Sequence, residues 1–532
     1  MLRRSFNKLL SGAALAAFSG CASSDDRVPA PLAVTGGGNF GVARPQDAFS
    51  LLPPGARPES TLELFLLGGM SPWESFYAVP ENGDPAKGGV HAGSQWWTFQ
   101  ESNGLTVPDW AAACGFADKS LLQPFGLDSA GRTVNLGPFV RPLRDRPDIL
   151  KRMRIWVMRH DVEPHEVAIP LAITGHPLGN PRSAALSTHL QRWYADQATS
   201  SRATPYSYIL GMNLLGKGNN GKAATAVGLQ RASARPTLLQ LGTGQTRLAR
   251  QLTRPGTAGY RDDLDALVRH YLGRYEQRVR PSGSSLRAPA VDDLALVRNT
   301  LEQHEAFAAT LPAELFALAH TDVCLPLPPP DAPVDGTDDQ VTAAIQLARH
   351  LLMSAEERAR YVQVLDQGIF TDPTGMGYDS HGSHIAMQGP NLTHTLGALA
   401  QIINQPGEAD PSKLDLDKNL VLINTEFGRT PTPEFTPRNP TGSGTDHWPW
   451  GYVIVGFGGP LDEERSGVVG SIGANGYADD WVTPAEHRAA MLLAQGIWPF
   501  SGQSFAVGDV RGAQNELEAA LLLRERVLGY PV

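Results

Sequence analysis

The chain has 532 residues, of which 42% are hydrophobic and 19% are charged, a balance typical of an ordinary globular protein. A chain of this length can bury one large core or two. Acidic residues outnumber basic ones by 54 to 45, and no basic stripe runs along the sequence, so we expect no nucleic-acid partner.

The N-terminal residues form a predicted export signal. The segment Arg3-Arg4-Ser5-Phe6-Asn7-Lys8 resembles a twin-arginine motif, and the apolar stretch that follows is too short to span a bilayer as a stable helix. The segment Phe18-Ser19-Gly20-Cys21 resembles a bacterial lipobox with Cys21 as the acylated residue. We therefore predict a signal peptide over residues 1–20, a periplasmic protein, and an outer-membrane lipid anchor as its only membrane attachment. Since Phe18 replaces the more usual Leu, cleavage without lipidation is the alternative.

Residues 21–58 are predicted to be a tether and lead-in, and residues 59–532 to form one α/β domain. Strands are predicted at 62–67, 155–158, 361–365, 420–424 and 452–455. Helices are predicted at 166–174, 185–198, 260–279, 290–318, 339–352 and 390–404. This alternation is typical of a mostly parallel sheet covered on both faces. A Pro-rich connector at 321–338 follows a predicted helical insertion over roughly 185–320.

Two cysteines follow Cys21 in the chain, Cys114 and Cys324. Their spacing does not match a metal site. The sequence leaves open whether they form a disulfide in an oxidising compartment or are two buried thiols.

The segment after the strand at 420–424 carries the first candidate metal ligands. Glu426 follows the strand directly, and a Pro/Gly-rich loop returns Asp446 and His447. Open α/β sheets bind their ligands outside the carboxyl ends of their strands, and carboxylate with imidazole suits Zn²⁺ or Mn²⁺. Arg429 offers a planar fork for a bidentate anionic group, or alternatively a salt bridge to Glu426 or Asp446. The other interpretation of this loop is a solvated turn that Asp446 caps.

A second candidate set lies in Tyr378-Asp379-Ser380-His381-Gly382-Ser383-His384. In an extended chain Asp379 and His381 share one face and can reach one metal ion, with His384 as a third ligand nearby. The alternative is a His-rich surface turn.

Two further segments offer polar candidates. His165 is predicted at a helix N-terminus, where backbone N–H groups favour anions, and is a candidate nucleophile or metal ligand. His160 competes with it for either role, and a capping or surface histidine is the alternative. After the first strand, Ser71 and Glu74 follow two glycines that let a ligand approach the backbone, although a plain tight turn explains this segment equally well. Together with His160, these two residues are the predicted lining of a substrate pocket.

These motifs together resemble a large bacterial family of twin-arginine-exported proteins of unknown function, related to sulfatases within the alkaline phosphatase superfamily. The matching segments stand in the family's order: LFLLGGMSPWESF, the stretch 159–175, YDSHGSH, NTEFGRTP and GTDHW. The resemblance implies a sulfatase-like three-layer α/β sandwich with a mostly parallel sheet. It also implies a divalent metal ion, either Zn, Mn or Ca.

The resemblance implies one metal site that is largely preserved, with Asp379, His381 or His384, and His447 as ligands. A second site looks degraded, because Glu426 and Phe427 stand where relatives have Asp and His.

The first metal aspartate of the superfamily corresponds to Gly68-Gly69 in this chain, so that ligand is missing or is supplied by Glu74. Counting back nine residues from Thr174 places His165 at the position of the sulfatase nucleophile.

The resulting expectation is a metal-dependent hydrolase of anionic esters, sulfate or phosphate, whose substrate is a small molecule or a glycan. His165 would act as nucleophile or general acid/base, and Arg429 would stabilise charge on the transferred group. The alternative is a non-catalytic envelope lipoprotein with a degraded pocket that binds an anionic glycan or a protein partner.

Overall fold

The fold is built around one eight-stranded sheet. The computed structural model describes residues 40–83, 101–102, 105–116, 121–198, 204–212, 218–228, 235–241, 258–279, 311, 324, 339–355, 358–371, 375–436, 439–500 and 504–531. The strands of the sheet are β1 Ser60–Leu66, β2 Met153–Met158, β3 Ser207–Met212, β4 Thr237–Leu241, β5 Tyr361–Asp366, β6 Asn419–Thr425, β7 Tyr452–Phe457 and β8 Gly467–Val469.

The spatial order of the strands is β8-β2-β7-β6-β1-β5-β3-β4. Within this sheet β7 is antiparallel to both of its neighbours, and all other pairings are parallel. The predicted α/β class with a mostly parallel sheet is therefore confirmed.

Helices of seven or more residues in the described part of the chain pack around this sheet. They are α1 His165–Thr174, α2 Leu186–Gln197, α3 Gly218–Ala224, α4 Ala258–Val279, α5 Gln340–Met353, α6 His384–Gln401, α7 Pro484–Ala494 and α8 Glu516–Leu522. Shorter helices lie at Pro80–Gly83, Val107–Ala111, Arg141–Arg144 and Pro147–Leu150. None of the described helices is long and apolar enough to cross a membrane.

Both faces of the sheet are covered, as the uninterrupted burial of β1 requires. Side chains alternate between the faces of a strand. Accordingly, Leu62, Leu64 and Leu66 join a core formed with α5 and α6. Phe65 points the other way, into a core formed with α1.

Three strands of the sheet, β3, β4 and β8, were not predicted. Two of them, β3 and β4, fall within residues 185–320, so part of the segment predicted as a helical insertion belongs to the central sheet. The predicted helix at 290–318 and the connector at 321–338 lie outside the described residues except at positions 311 and 324. The export signal and residues 21–39 of the predicted tether also lie outside them.

The two cysteines that follow Cys21 are paired in the structure. Cys114 and Cys324 form a disulfide across 210 residues of chain. This bond ties the segment after the helix Val107–Ala111 to a point within the Pro-rich connector.

Five two-stranded ribbons accompany the sheet in the part of the chain that the structure describes, and two of them lie in the region beyond β6. They pair Gly428–Arg429 with His447–Trp448, and Glu434–Thr436 with Asn439–Gly444. The first ribbon sets Arg429 directly opposite His447. The others pair Glu101–Ser102 with Leu105–Thr106, Gln123–Leu127 with Thr133–Leu136, and Ser471–Ile472 with Ala478–Asp480.

Candidate metal centre

A cluster of histidines and carboxylates lies where β1, β5 and β6 end. These strands are parallel neighbours, so the segments that follow them leave the same edge of the sheet. Gly68 follows β1, Glu426 follows β6, and Asp379 lies in the segment after β5. This is the edge at which parallel α/β sheets bind their ligands.

Gly68 allows the segment after β5 to close over the end of β1. Its φ is +117°, and a Cβ atom there would lie 2.2 Å from the backbone nitrogen of Asp379. A larger residue at position 68 would therefore displace Asp379. Asp379 occupies the space where a side chain at position 68 would project.

Three ligand atoms form a nearly equilateral triangle, which we call the ligand triangle: Asp379 Oδ1, His381 Nε2 and His447 Nε2. The carboxylate oxygen is 3.2 Å from the His381 nitrogen and 3.4 Å from the His447 nitrogen, and the two nitrogens are 3.1 Å apart. Ligand atoms about 2.0–2.2 Å from a tetrahedral ion lie roughly 3.3–3.6 Å from one another. The triangle therefore has the dimensions of one face of a tetrahedral metal site.

The protonation state of His447 and the exposure of the triangle also suit a metal ion. Metal binding requires a neutral imidazole, and burial lowers the pKa of His447. The side chain of His381 is 43% exposed, whereas that of Asp379 is 6% exposed. The triangle is therefore anchored in the core and open to solvent on the His381 side.

His165 lies at the inner side of the triangle. It is the first residue of α1, with Nδ1 2.9 Å from Glu426 Oε1 and Nε2 3.4 Å from Asp379 Oδ2. Burial opposes protonation, but the contacts with Asp379 and Glu426 prevail and raise the pKa of His165 to about 9. His165, Asp379 and His447 also form a group that could hold a metal ion.

Glu426, an expected ligand, is directed at His165 rather than at the triangle. Its Oε1 also accepts a hydrogen bond of 2.8 Å from the backbone N–H of Gly68. Its Oε2 accepts one of 3.3 Å from Thr425 Oγ1. In this arrangement Glu426 orients the His165 ring.

Arg429 forms a buried ion pair, but not with the partners that the sequence suggested. Its Nη1 donates to Asp379 Oδ1 at 2.9 Å and to the Gly68 carbonyl at 3.1 Å. Its Nε and Nη2 donate to the side-chain and backbone oxygens of Thr445. Burial alone would raise the pKa of Asp379, but the charge of Arg429 holds this pKa well below its usual range.

Asp446 lies at the exposed rim of the cluster. Its side chain is 52% exposed, and its Oδ1 is 4.0 Å from His381 Nδ1. Glu434 Oε2 is nearer to the same nitrogen, at 3.4 Å. His381, Asp446 and His447 form a second group with the spacing of metal ligands.

His384, another expected ligand, belongs to a separate buried group that we call the inner cluster: Ser71, Glu74, Ser380, His384 and Thr445. The His384 ring is fully buried, with Nε2 3.2 Å from Glu74 Oε2. Its Nδ1 lies 3.1 Å from the hydroxyl oxygens of both Ser380 and Thr445. Ser71 and Glu74, expected to line a substrate pocket, are themselves buried.

His160 supports the backbone of the site. Its Nδ1 accepts a hydrogen bond from the N–H of Val162, so its Nε2 donates to the Glu426 carbonyl at 2.7 Å. Burial lowers the pKa of His160, which favours this neutral form. The ring therefore anchors the start of the segment that carries Arg429.

Several residues of the site were not predicted. Thr445 bonds both Arg429 and His384, and the Phe427 ring stacks on His447 at 4.5 Å between centroids. Both residues lie inside the motifs quoted above, so their positions in the sequence could have marked them as site residues. Their residue types, threonine and phenylalanine, did not. Gln388 donates to the carbonyls of Gly69 and Tyr378, and nothing in the sequence singled it out.

The fold and the site thus define an α/β protein with a histidine–carboxylate cluster at the carboxyl edge of a mostly parallel sheet. Residues 285–499 match a family model described as a protein of unknown function (DUF1501). This match supports the expected resemblance to a family of unknown function, and it spans every residue of the ligand triangle. No curated protein matches the chain.

Proposed function

We propose that the protein is an exported, metal-dependent hydrolase of anionic esters, either sulfate or phosphate esters. The observation that carries this proposal is the ligand triangle, whose edges of 3.1–3.4 Å suit a single tetrahedral ion. Two imidazole nitrogens and one carboxylate oxygen favour Zn²⁺ or Mn²⁺ over Ca²⁺, which prefers oxygen ligands.

In this proposal Asp379, His381 and His447 hold the ion, and three ligands leave a coordination position for substrate or water. When bound, such an ion polarises an ester oxygen and lowers the pKa of a water molecule. His165 presents Nε2 on the same side as Asp379 because Glu426 engages its Nδ1. We assign Nε2 as the atom that donates the proton while the ring is charged. Attack or proton acceptance by this nitrogen requires the neutral ring, which predominates above its pKa of about 9.

The contacts of Arg429 lead us to revise its expected role. The guanidinium has five N–H donors, and four hydrogen bonds already join it to Asp379, Gly68 and Thr445. We therefore assign Arg429 to holding the metal-binding carboxylate in place and ionised. Charge on the transferred group is left to the metal ion and to His165.

Export is part of the proposal. It rests on the twin-arginine-like motif and on Cys21, which we propose as a lipid anchor in the outer membrane. The disulfide between Cys114 and Cys324 supports an oxidising compartment, because such bonds are rare in proteins of the reducing cytosol.

The second candidate is a non-catalytic envelope lipoprotein that binds an anionic glycan or a protein partner. One observation favours it: the backbone of Asp379 fills the space beside Gly68, so no side chain at position 68 can supply a ligand. A protein with this change can retain a metal ion without retaining turnover.

The test uses the mature protein without its signal peptide. Metal content is measured on the purified protein, and hydrolysis is followed with a panel of aryl sulfates and aryl phosphates. We expect about one equivalent of ion, and turnover that His447→Ala abolishes and Asp446→Asn, at the exposed rim, largely preserves. Absence of bound metal, or turnover that survives His447→Ala, would refute the hydrolase. Metal and glycan binding without turnover would support the second candidate.

A further inference from the structure

Two distant segments of the chain supply the ligand triangle, and they touch along their backbones. Thr445 N–H donates to the Ser380 carbonyl at 3.0 Å, and Ser443 Oγ donates to the Gly382 carbonyl at 2.6 Å. A Cβ atom at Gly444 would lie 1.8 Å from the His381 carbonyl oxygen, so only glycine permits this approach. The distance between Asp379 and His447 therefore depends on how these two segments are held together.

The buried His384 ring contacts both of these segments. Its Nδ1 is 3.1 Å from Ser380 Oγ and 3.1 Å from Thr445 Oγ1, and these hydroxyl oxygens are themselves 3.1 Å apart. Ser380 stands between the ligands Asp379 and His381 in the sequence, and Thr445 stands two residues before His447. One imidazole nitrogen thus contacts both segments next to their ligands.

Glu74 faces this ring from the opposite side. Its Oε2 is 3.2 Å from His384 Nε2 and also accepts a hydrogen bond of 2.5 Å from Ser71 Oγ. A carboxylate that faces one imidazole nitrogen sets the tautomer and the orientation of the ring. Both Glu74 and His384 are fully buried, so neither contacts a substrate in solution.

We propose that His384 and Glu74 are positioning residues for the metal ion, acting through Ser380 and Thr445 on the spacing of Asp379, His381 and His447. His384 is then not a ligand, although it lies in the same motif as two of them. This inference rests on the proposed metal centre, and it adds a support that determines the affinity of that centre.

Titration of the metal-free mature protein with Zn²⁺ and with Co²⁺ tests the inference. We expect His384→Ala and Ser380→Ala to weaken Zn²⁺ binding by roughly 10- to 100-fold, the usual effect of removing a group that orients a metal ligand. Ser380 is chosen because its hydroxyl contacts His384, whereas the Thr445 hydroxyl also accepts a hydrogen bond from Arg429. Thr445→Ser keeps the hydroxyl, and its affinity should stay within about threefold of wild type. At saturating Co²⁺ the visible spectrum should be the same in all four proteins, because the ligands are unchanged.

A matched control removes a buried imidazole elsewhere. Both ring nitrogens of His487 are buried without a hydrogen-bond partner among the described residues, so His487→Ala should leave Zn²⁺ affinity unchanged. Thermal unfolding of the metal-free proteins identifies any variant that does not fold. If His384→Ala does not fold, Ser380→Ala decides, because it removes the hydroxyl that His384 Nδ1 contacts and leaves the bond between Arg429 and Thr445 in place.

Three outcomes contradict the inference in distinguishable ways. Wild-type protein that binds neither ion refutes the metal centre and the inference with it. Wild-type binding with undiminished affinity in the folded variants refutes the inference alone. A different Co²⁺ spectrum for saturated His384→Ala identifies His384 as a ligand and also refutes the positioning role.

Discussion

Two buried carboxylate–arginine pairs lie near the centre of this molecule, and they differ in how completely the carboxylate is satisfied. Glu63 receives two N–H groups of Arg488 at 2.6 and 2.8 Å, together with Tyr361 Oη at 2.6 Å and Asn424 Nδ2 at 3.0 Å. These bonds occupy both of its oxygens.

Asp379 is satisfied differently. Its Oδ1 accepts a single N–H of Arg429 and also faces the rings of His381 and His447, whereas its Oδ2 faces the ring of His165. Imidazoles, unlike the arginine, are able to bind a metal ion together with the carboxylate. Burial and pairing with an arginine do not distinguish the two carboxylates, because both are buried and both are paired. What distinguishes a structural carboxylate from a candidate metal ligand is whether hydrogen-bond donors that cannot bind a metal already occupy its oxygens.

The largest effect is expected from Asp379→Ala. Removing this carboxylate takes away one proposed ligand and leaves Arg429 buried without its counter-charge, which costs about 3–5 kcal/mol of folding free energy. Metal affinity should fall by more than about a hundredfold, beyond the loss typical of residues that only orient ligands. Calorimetric metal titration and urea unfolding measure the two losses. Full metal affinity in this variant would remove Asp379 from the proposed site.

Glu63→Gln should damage stability alone. The amide leaves Arg488 buried without a counter-charge, and we expect the free energy of unfolding to fall by about 3 kcal/mol. Because Glu63 touches no residue of the ligand triangle, metal affinity of the folded protein should stay at the wild-type value. A loss of affinity comparable to that of Asp379→Ala would show that the two pairs are not functionally distinct.

The dependence of stability on pH provides a further test of the Glu63–Arg488 pair. Burial alone would raise the pKa of Glu63, but Arg488 lowers this pKa from its unperturbed value of 4.5 to about 2. A depressed carboxyl pKa stabilises the fold above the unfolded-state value, and the contribution disappears as the pH falls through the folded-state value. The Glu63 contribution of about 3 kcal/mol should therefore be complete above pH 4.5 and be lost towards pH 2. Urea unfolding between these pH values should show a shallower dependence for Glu63→Gln than for wild type.

Much of the fold follows from local patterns, and the exceptions have physical causes. The apolar runs of β1, β2, β5, β6 and β7 predicted buried strands, whereas β3 and β4 were hidden in a segment dominated by helical patterns. Helix α6 was predicted to begin at Pro390, a residue type that is disfavoured in helix interiors. It begins instead at His384, with Pro390 inside the helix. This start places His384 on a buried helix end, where it meets Glu74.

The residue types in the motifs predicted the chemistry of the candidate site, but they did not predict which residue takes which role. Motif content brought forward Asp379, His381 and His447, which the fold gathers within coordinating distance. The partner of Arg429 lies 50 residues away in the chain, and that of His384 more than 300. Contacts at such separations depend on the order of the strands, which local sequence does not encode.

The smallest effect is expected at the exposed rim, where Asp446 tests whether proximity to the histidines is enough to make a ligand. Its side chain is 52% exposed, and its Oδ1 already accepts the backbone N–H of His447 at 2.8 Å. A solvated carboxylate 4.0 Å from His381 Nδ1 gains little from ordering around an ion. Asp446→Asn should therefore change metal affinity by less than about threefold, because the amide oxygen still accepts that bond. A decrease as large as that of Asp379→Ala would move the ion outward, to the group formed by His381, Asp446 and His447, and would reduce Asp379 to a partner of Arg429.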